Sequence, residues 1–393
     1  MVAVYRSPEL DVLETEVLAL IDGLRSDLRH RVAKPRRWSG SLRKMTFARA
    51  IQGSNSIEGY NASLDDVAAA VEGEPTLDAT AETQLALAGY RDAMTYVLQV
   101  AKDDAAVIDE GMIKALHFMM LKHDIAKSPG RWRPGYIGVR SEASGEVVYE
   151  APDADAVPEL VTSMLRQLEE DQAPALIRAA MAHLNLVMIH PFRDGNGRMA
   201  RCIQTLVLAR DQVVAPVFSS VEEYLGRNTQ AYYDVLAEVG KGAWHPFNNA
   251  RPWVRFMLTA HYRQAKTHLR RIEEIERIYG GCLDLAAERD LPDRCAGGLA
   301  DVASGLRLRR NSYLTAVQSS TGDEISELTA TRDLQAMVKS GLLTPRGETR
   351  GRFYVAGPPL LDIQERVRAS RPPRKDLDPF LVAQQRLQSQ LTM

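Results

Sequence analysis

The stretch His190–Arg201 reads His-Pro-Phe-Arg-Asp-Gly-Asn-Gly-Arg-Met-Ala-Arg, so a histidine, a carboxylate, two glycines and several arginines share one short segment. Pro191 cannot continue a helix, and it biases His190 away from α geometry. The apolar helix expected over residues 177–189 therefore ends by presenting His190 at a chain reversal. Gly195 and Gly197 flank Asn196, a combination that permits φ > 0 and a nest of successive N–H groups able to hold an anion. A second helix is expected from Asn196, with Met199, Ile203, Leu206 and Val207 inward and its N-terminus aimed at whatever the nest holds. Arg198 and Arg201, three apart on one face, sit in its first turn, where the macrodipole disfavours cations. A bound anion removes that conflict, and a polyphosphate accounts for two arginines. The chemistry that suits this set is substitution at phosphorus. Preorganised N–H donors in such a nest stabilise negative charge on phosphate oxygens. At a helix C-terminus His190 is expected to have its pKa raised.

A second misplaced charge lies upstream. A helix is expected over residues 42–59, closing on Gly59 as a C-terminal glycine. Glu58 then falls in the last turn, where the dipole disfavours a carboxylate. If Glu58 faces Arg201 across space, each relieves the other's misplacement.

The segment resembles the Fic family motif H-x-F-x-[DE]-G-N-G-R-x-x-R and matches it at every fixed position. Ser54…Glu58-Gly59 likewise resembles the family's inhibitory pattern [ST]-x-x-x-E-[GN], in the class whose inhibitory helix precedes the core. The resemblance implies a protein adenylyltransferase, which moves AMP from ATP to a Ser, Thr or Tyr hydroxyl of a protein target. By the same resemblance His190 is the general base and Asp194 holds Mg²⁺. Gly195, Asn196 and Gly197 form the anion hole, Arg198 contacts the α- and β-phosphates, and Arg201 contacts the γ-phosphate. Phe192 anchors the loop. Glu58, with Ser54, restrains Arg201 and blocks seating of the γ-phosphate. Tyr233, the second of a tyrosine pair, would border adenine. Gly240 stands where some relatives carry an adenine-binding Asn, so base recognition is less determined than phosphate recognition. A hairpin carrying Ile137, Gly138 and Val139 would dock the target segment. Within the fold, the alternatives are transfer of another phosphate-containing group or removal of AMP. An alternative of another class is a nucleotide-sensing, DNA-binding regulator, which needs neither His190 as a base nor Asp194 as a metal ligand.

The elements that must position these residues read as mostly helical. Helices are expected over residues 1–35, through 61–105 with a loop at 71–75, and over 108–121, 158–168, 224–239 and 253–289. Residues 136–149 alternate as a lone β-hairpin around the turn-forming stretch 141–146. Lone hairpins are marginal, so this one must lean on the core, and its exposed edge can take an added strand. His117 and His123 read as core or surface histidines rather than ligands. From residue 297 to 357 the pattern of helices, strand, turn and strand resembles a winged helix, with Thr331 and Arg332 near a major groove and Arg350 and Arg352 on the wing. That stretch holds 8 Lys/Arg against 6 Asp/Glu, a slim surplus for a phosphate-binding surface. Oligomer contacts or target presentation are therefore favoured there over DNA. The fold expected is all-α, a Fic-type core with a short hairpin flap, joined to a winged-helix (α+β) domain. The divisions are 1–105 with the inhibitory helix, 106–260 as the catalytic core, 261–296 as connecting helices, 297–357 as the winged helix, and 358–393 as a linker and tail.

Composition sets the outer bounds. The chain has 393 residues, a formal net charge of −2 and three cysteines. That charge gives no global argument for nucleic-acid or membrane partners. The early acids Glu9, Asp11, Glu14 and Glu16 do not read as a leader. Three scattered cysteines read as reduced thiols, so a cytoplasmic location is expected.

Overall fold

Asp11 starts the first helix. Its carboxylate accepts from the Glu14 N–H at 2.9 Å, and the Asp11 N–H donates to the Glu14 carboxylate at 2.9 Å, a reciprocal capping box. Helix α1 is therefore Val12–Ala33, and the residues before it are not helical, unlike the single helix expected over 1–35. The early segment is held by Tyr5. Its N–H donates to Asn185 Oδ1 at 2.8 Å, and Asn185 Nδ2 donates back to the Tyr5 carbonyl at 2.9 Å. The computed structural model describes residues 2–140, 145–211, 215–348, 351–371 and 378–391.

Four helices come next: α2 (Ser39–Ile57), α3 (Leu64–Val71), α4 (Ala81–Val100) and α5 (Glu110–Leu121). The hairpin is β1 (Gly138–Arg140) and β2 (Val147–Glu150), antiparallel, with Val139 opposite Tyr149 and a bulge between Val139 and Arg140. Most of the turn expected between them, residues 141–144, lies outside the described residues. Helices α6 (Val157–Glu170), α7 (Ala175–Ile189) and α8 (Asn196–Arg210) build the centre. The apolar spacing before His190 predicts one buried face. Instead α7 is buried almost all round, because α6, α8 and α11 (Arg251–Glu288) enclose it. The helix expected over 224–239 is broken into α9 (Glu222–Arg227) and α10 (Thr229–Gly240). Asn228 lies at the break, and its Nδ2 donates to the Tyr224 carbonyl at 2.7 Å, satisfying an end group of α9.

The C-terminal part comprises α12 (Cys295–Ala303), α13 (Arg310–Thr321), α14 (Glu327–Lys339), the antiparallel pair β3 (Leu343–Arg346) and β4 (Phe353–Ala356), α15 (Pro358–Ala369) and α16 (Pro379–Leu391). The winged-helix reading stays a proposal. Arg350, expected on the wing, and most of the linker stretch 370–375 lie outside the described residues. This part is ion-paired to the start of the chain. Lys44 on α2 bonds Asp301, and also Glu72 at 3.2 Å; Arg307 bonds Asp65 at 2.9 Å, and Arg309 bonds Glu74 at 2.8 Å. The last helix, in the stretch expected to be a tail, packs on α1, with Ala383 fully buried and Arg386 3.1 Å from Glu16.

Two apolar clusters fill the interior. One surrounds α7 and α8. The other gathers Ile272, Ile275 and Cys282 of α11 with residues of α12 to α15. The first half of α11, including the fully buried Trp253, belongs to the first cluster. Among the described residues, no helix is long and apolar enough to cross a membrane.

Candidate active site

His190 closes α7 in the left-handed region, at φ 52 and ψ 56, outside the right-handed helix that the following proline disfavours and also outside the extended region that it favours. The Arg133 Nε donates to the His190 carbonyl at 2.8 Å, and the Arg133 N–H donates to the Pro191 carbonyl at 2.9 Å. On the ring, Nδ1 lies 3.2 Å from the Val187 carbonyl. An acceptor there assigns the proton to Nδ1 and leaves Nε2 as the free base nitrogen. Burial pushes the His190 pKa down, outweighing the Val187 bond and the nearby Glu58 and Asp194 carboxylates, which push it up. This overturns the expected rise from the helix dipole, because desolvation disfavours the imidazolium more than the helix end favours it.

The loop after His190 is fixed from inside. Phe192 is fully buried and stacks on His117 with ring centroids 3.7 Å apart. His117 Nδ1 accepts from the Gly130 N–H at 2.8 Å, so Nε2 carries the proton and donates to the Asp194 carbonyl at 3.0 Å. Burial holds this histidine neutral, with its pKa pulled down to about 4. Asn196 does not face outward. Its Oδ1 accepts from the Phe192 N–H and its Nδ2 donates to the Phe192 carbonyl, both at 2.9 Å, so its side chain staples the loop. What it can offer an anion is its backbone N–H. The first-turn N–H groups of Asn196, Gly197 and Arg198 have no intrahelical acceptor and form the open end of α8.

Of the two loop glycines, only Gly195 uses a positive φ, +75, at the N-cap of α8. Gly197 has a different reason to be glycine: a Cβ there would collide with the Glu58 carboxylate and lie 3.1 Å from Arg201 Nη1.

Arg201 is 1 % exposed, and three contacts from α2 and its cap hold it. Its Nε donates to Ser54 Oγ at 2.7 Å, and its Nη2 donates to the Ser54 carbonyl at 2.9 Å and to Glu58 Oε1 at 2.7 Å. The two misplaced charges thus meet, and Glu58 raises the Arg201 pKa despite burial. Gly59 closes the helix at φ +83. Arg198 is the contrary case. It is fully buried, and its Nε, Nη1 and Nη2 all lack a hydrogen-bond partner among the described residues. Its nearest compensation is the face of Tyr60, 5.1 Å from the guanidinium carbon. A buried guanidinium without an acceptor is costly, so the site is short of an anionic group at this point.

Asp194 Oδ2 is 2.8 Å from Lys127 Nζ, and Lys127 also donates to the Tyr60 hydroxyl at 3.1 Å. Burial would raise the Asp194 carboxyl, but the Lys127 hydrogen bond and the Arg198 charge outweigh it and hold it below the usual range. Asp194 is therefore ionised at neutral pH. Among the described residues, no group of three or more His, Cys, Asp or Glu could form a self-contained metal cage. One carboxylate beside a phosphate cradle fits Mg²⁺, which takes one or two carboxylates plus phosphate oxygens and water.

Tyr233 is 46 % exposed, and its hydroxyl donates to the Ile57 carbonyl at 3.2 Å, at the end of α2. Its neighbour Tyr232 is buried and its hydroxyl lies 2.9 Å from His183 Nε2. The space a side chain at Gly240 would need is filled by Met188 and the Tyr149 ring, at 3.2 and 3.3 Å. Tyr149 donates from its hydroxyl to the Met188 carbonyl at 2.8 Å, and Arg133 Nη1 donates to the Gly135 carbonyl at 2.7 Å. Both ties hold the hairpin beside His190. Ile137 precedes β1 and accepts from the Ala151 N–H at 3.2 Å. Gly138 and Val139 lie in β1, which among the described residues pairs only with β2. Lys127, Tyr60, Arg133 and the loop-propping role of His117 are not legible in the sequence. Only Tyr60, adjacent to Gly59, carries a positional hint.

Residues 107–208 match the Fic/DOC family model. Proteins named "Protein adenylyltransferase Fic" from Nematostella vectensis and Aedes aegypti are each 26% identical, over 67% and 64% of this chain. The chain spans 58% and 46% of their lengths, about half of the curated relatives it matches. A Fic family protein from Desulfovibrio desulfuricans G20 shares the fold over 90% of this chain and 98% of its own, with TM-score 0.57 and 23% identity. A Fic domain containing signaling protein from Bacteroides thetaiotaomicron VPI-5482 does so over 66% of this chain and 97% of its own, with TM-score 0.53 and 20% identity. The part of the chain at residues 107–208, which carries the His190–Arg201 loop, is thus similar to the Fic/DOC family.

Proposed function

We propose that the chain is a protein adenylyltransferase, taking AMP from ATP to a Ser, Thr or Tyr hydroxyl of a protein, and that Glu58 restrains it. The observation that carries the reading is the pair of arginines at the start of α8. Arg198 is buried with no acceptor on any nitrogen, and Arg201 is buried with a carboxylate on one of its terminal nitrogens. A triphosphate supplies acceptors to both, once Glu58 yields. The names of the curated relatives support the same reading.

In this mechanism Asp194 would hold Mg²⁺, which supplies charge neutralisation on the phosphates. The N–H groups opening α8 and the Arg198 guanidinium hold the α- and β-phosphates. His190 Nε2 takes the proton of the target hydroxyl as its oxygen bonds to the α-phosphorus and pyrophosphate departs. A depressed pKa keeps His190 in its basic form at neutral pH. The free edge of β1 receives the target as an added strand beside His190. Glu58 occupies the Arg201 contact intended for the γ-phosphate, so ATP binds with its tail displaced and its α-phosphorus out of line. Alignment is a large share of the rate of such reactions.

The test is label position. ATP labelled at the α-phosphorus should mark protein in a lysate supplemented with the Glu58→Gly variant, and γ-labelled ATP should not. Labelling from γ alone would replace this reading with phosphoryl transfer.

A further inference from the structure

A cavity of about 550 Å³ lies away from the His190 loop, between α2, α9, α11, α12 and α15. That volume is in the range of small-molecule sites. Six arginines line it: Arg49 from α2, Arg227 from α9, Arg270 and Arg271 from α11, and Arg368 and Arg371 at the end of α15. Among the described residues, two carboxylates answer them. Glu223 takes Arg271 at 2.6 and 2.5 Å and Arg227 at 2.7 Å. Glu274 takes Arg371 at 2.8 and 3.0 Å and Arg270 at 3.3 Å.

Arg49 and Arg368 have no ion pair among the described residues, and the buried Nε of Arg49 has no hydrogen-bond partner there. Burial and the facing Arg271 pull the Arg49 pKa down to about 10, as expected where positive charge is crowded and poorly solvated. A further wall is apolar, from Leu42, Ile275 and Ile278.

Forked guanidinium donors converging on one space match phosphate oxygens. We propose that this cavity is a binding site for a small, multiply phosphorylated anion, separate from the phosphate cradle at α8. The ligand lies between Arg49 and Arg368 and adds acceptors to the arginines already shared with Glu223 and Glu274. The proposal does not rest on the transfer reaction. It needs only the charge imbalance, the volume and the buried Arg49 Nε without a hydrogen-bond partner among the described residues.

The experiment titrates inorganic tripolyphosphate into the full chain by calorimetry at physiological salt. The proteins are wild type, Arg198→Ala, Arg49→Gln, Arg368→Glu and Arg368→Lys. The expected result is a binding event that survives Arg198→Ala. It should weaken about tenfold or more in Arg49→Gln and Arg368→Glu, the loss of one or two charge-assisted hydrogen bonds. Arg368→Lys should retain most of it. An event that disappears with Arg198→Ala, or that is indifferent to Arg368→Glu, overturns the site. Arg368 is exposed, so its variants keep the test intact if Arg49→Gln misfolds. Repeating the titration with ATP in the Arg198→Ala protein assigns the source. Equal affinity means that phosphate alone is read, and tighter binding means that a base uses the apolar wall.

Discussion

Replacing Glu58 with glycine removes a carboxylate 2.7 Å from Arg201 Nη2, with two effects of opposite sign. The first is a loss of stability. Breaking a fully buried pair costs about 3–5 kcal/mol, but the Glu58 side chain is 21% exposed and Arg201 keeps both bonds to Ser54. One charge-assisted hydrogen bond is lost, so about 2 kcal/mol is expected. Saturating ATP should restore most of it, since the γ-phosphate replaces the lost acceptor. The second effect is activation. The carboxylate lies against both Gly197 and Arg201, so it takes the space and the donor that a γ-phosphate needs. A misplacement of the order of 1 Å can cost about 10²-fold in rate, and its removal should raise α-label incorporation by roughly that factor. Arg201→Ala is the control. It breaks the same pair yet should stay inactive, because the γ-phosphate contact is gone. Labelling would be followed for wild type, Glu58→Gly, Arg201→Ala and Glu58→Gly/His190→Ala, with folding checked by circular dichroism. Equal labelling by folded wild type and Glu58→Gly would refute restraint by Glu58, and labelling that persists in the double variant would remove His190 as the base.

His190→Ala should abolish transfer while leaving the affinity for ATP·Mg²⁺ within a few-fold in calorimetry, because the proposed mechanism has α8 rather than the ring hold the phosphates; a large loss of affinity would give His190 a binding role. Stability should fall on the acid side. His117 is pulled down to about 4, and His183, His261 and His268 to about 3, so each stays neutral in the fold but protonates when unfolded below pH 6.5. Their contribution is complete above pH 6.5 and is lost as pH falls. By pH 5 each costs about 2 kcal/mol, and the four together cost about 8 kcal/mol, comparable to a typical total stability. Urea titrations at pH 7, 6 and 5 would check this, and a flat midpoint across them would contradict it. DNA binding through the C-terminal part should be weak at physiological salt. Arg307, Arg309 and Arg310 of its slim basic surplus are already paired with Asp65 and Asp78, Glu74, and Glu327. A tight, sequence-specific gel shift would reverse that expectation.

The features legible in the sequence are local or electrostatic. His190-Pro191 marks a helix end, Gly195 marks a left-handed turn, and two charges at the wrong helix ends point to each other across more than a hundred positions. The supports of the loop are silent. Arg133 acts through long-range bonds to His190 and Pro191, Lys127 through bonds to Asp194 and Tyr60, and His117 through a bond to Asp194, and no periodicity announces bonds of that kind. The expected shift of the His190 pKa has the wrong sign because the helix end is visible in sequence and burial is not. The motif puts Asn196 on the anion, although an Asn between two glycines serves equally to tie the loop to itself. The early leucines predict helix from the first residues, but Asp11 and Glu14 cap at a fixed point and leave Tyr5 free to meet Asn185. The arginine cavity draws on positions from 49 to 371 and shows in no local window.

Helix α11 runs for 38 residues without a break, about 57 Å at 1.5 Å per residue, and both apolar clusters are built on it. A rod of that length shared by two cores couples them, so a single unfolding transition is expected for the two halves. Its more distal turns bear Ile272, Ile275, Ile278 and Cys282, which belong to the apolar cluster that α12 to α15 help to build. A shortened protein ending after α11 would expose part of that row to water, so trimming away α12 to α16 should leave an aggregation-prone fragment around residues 107–208.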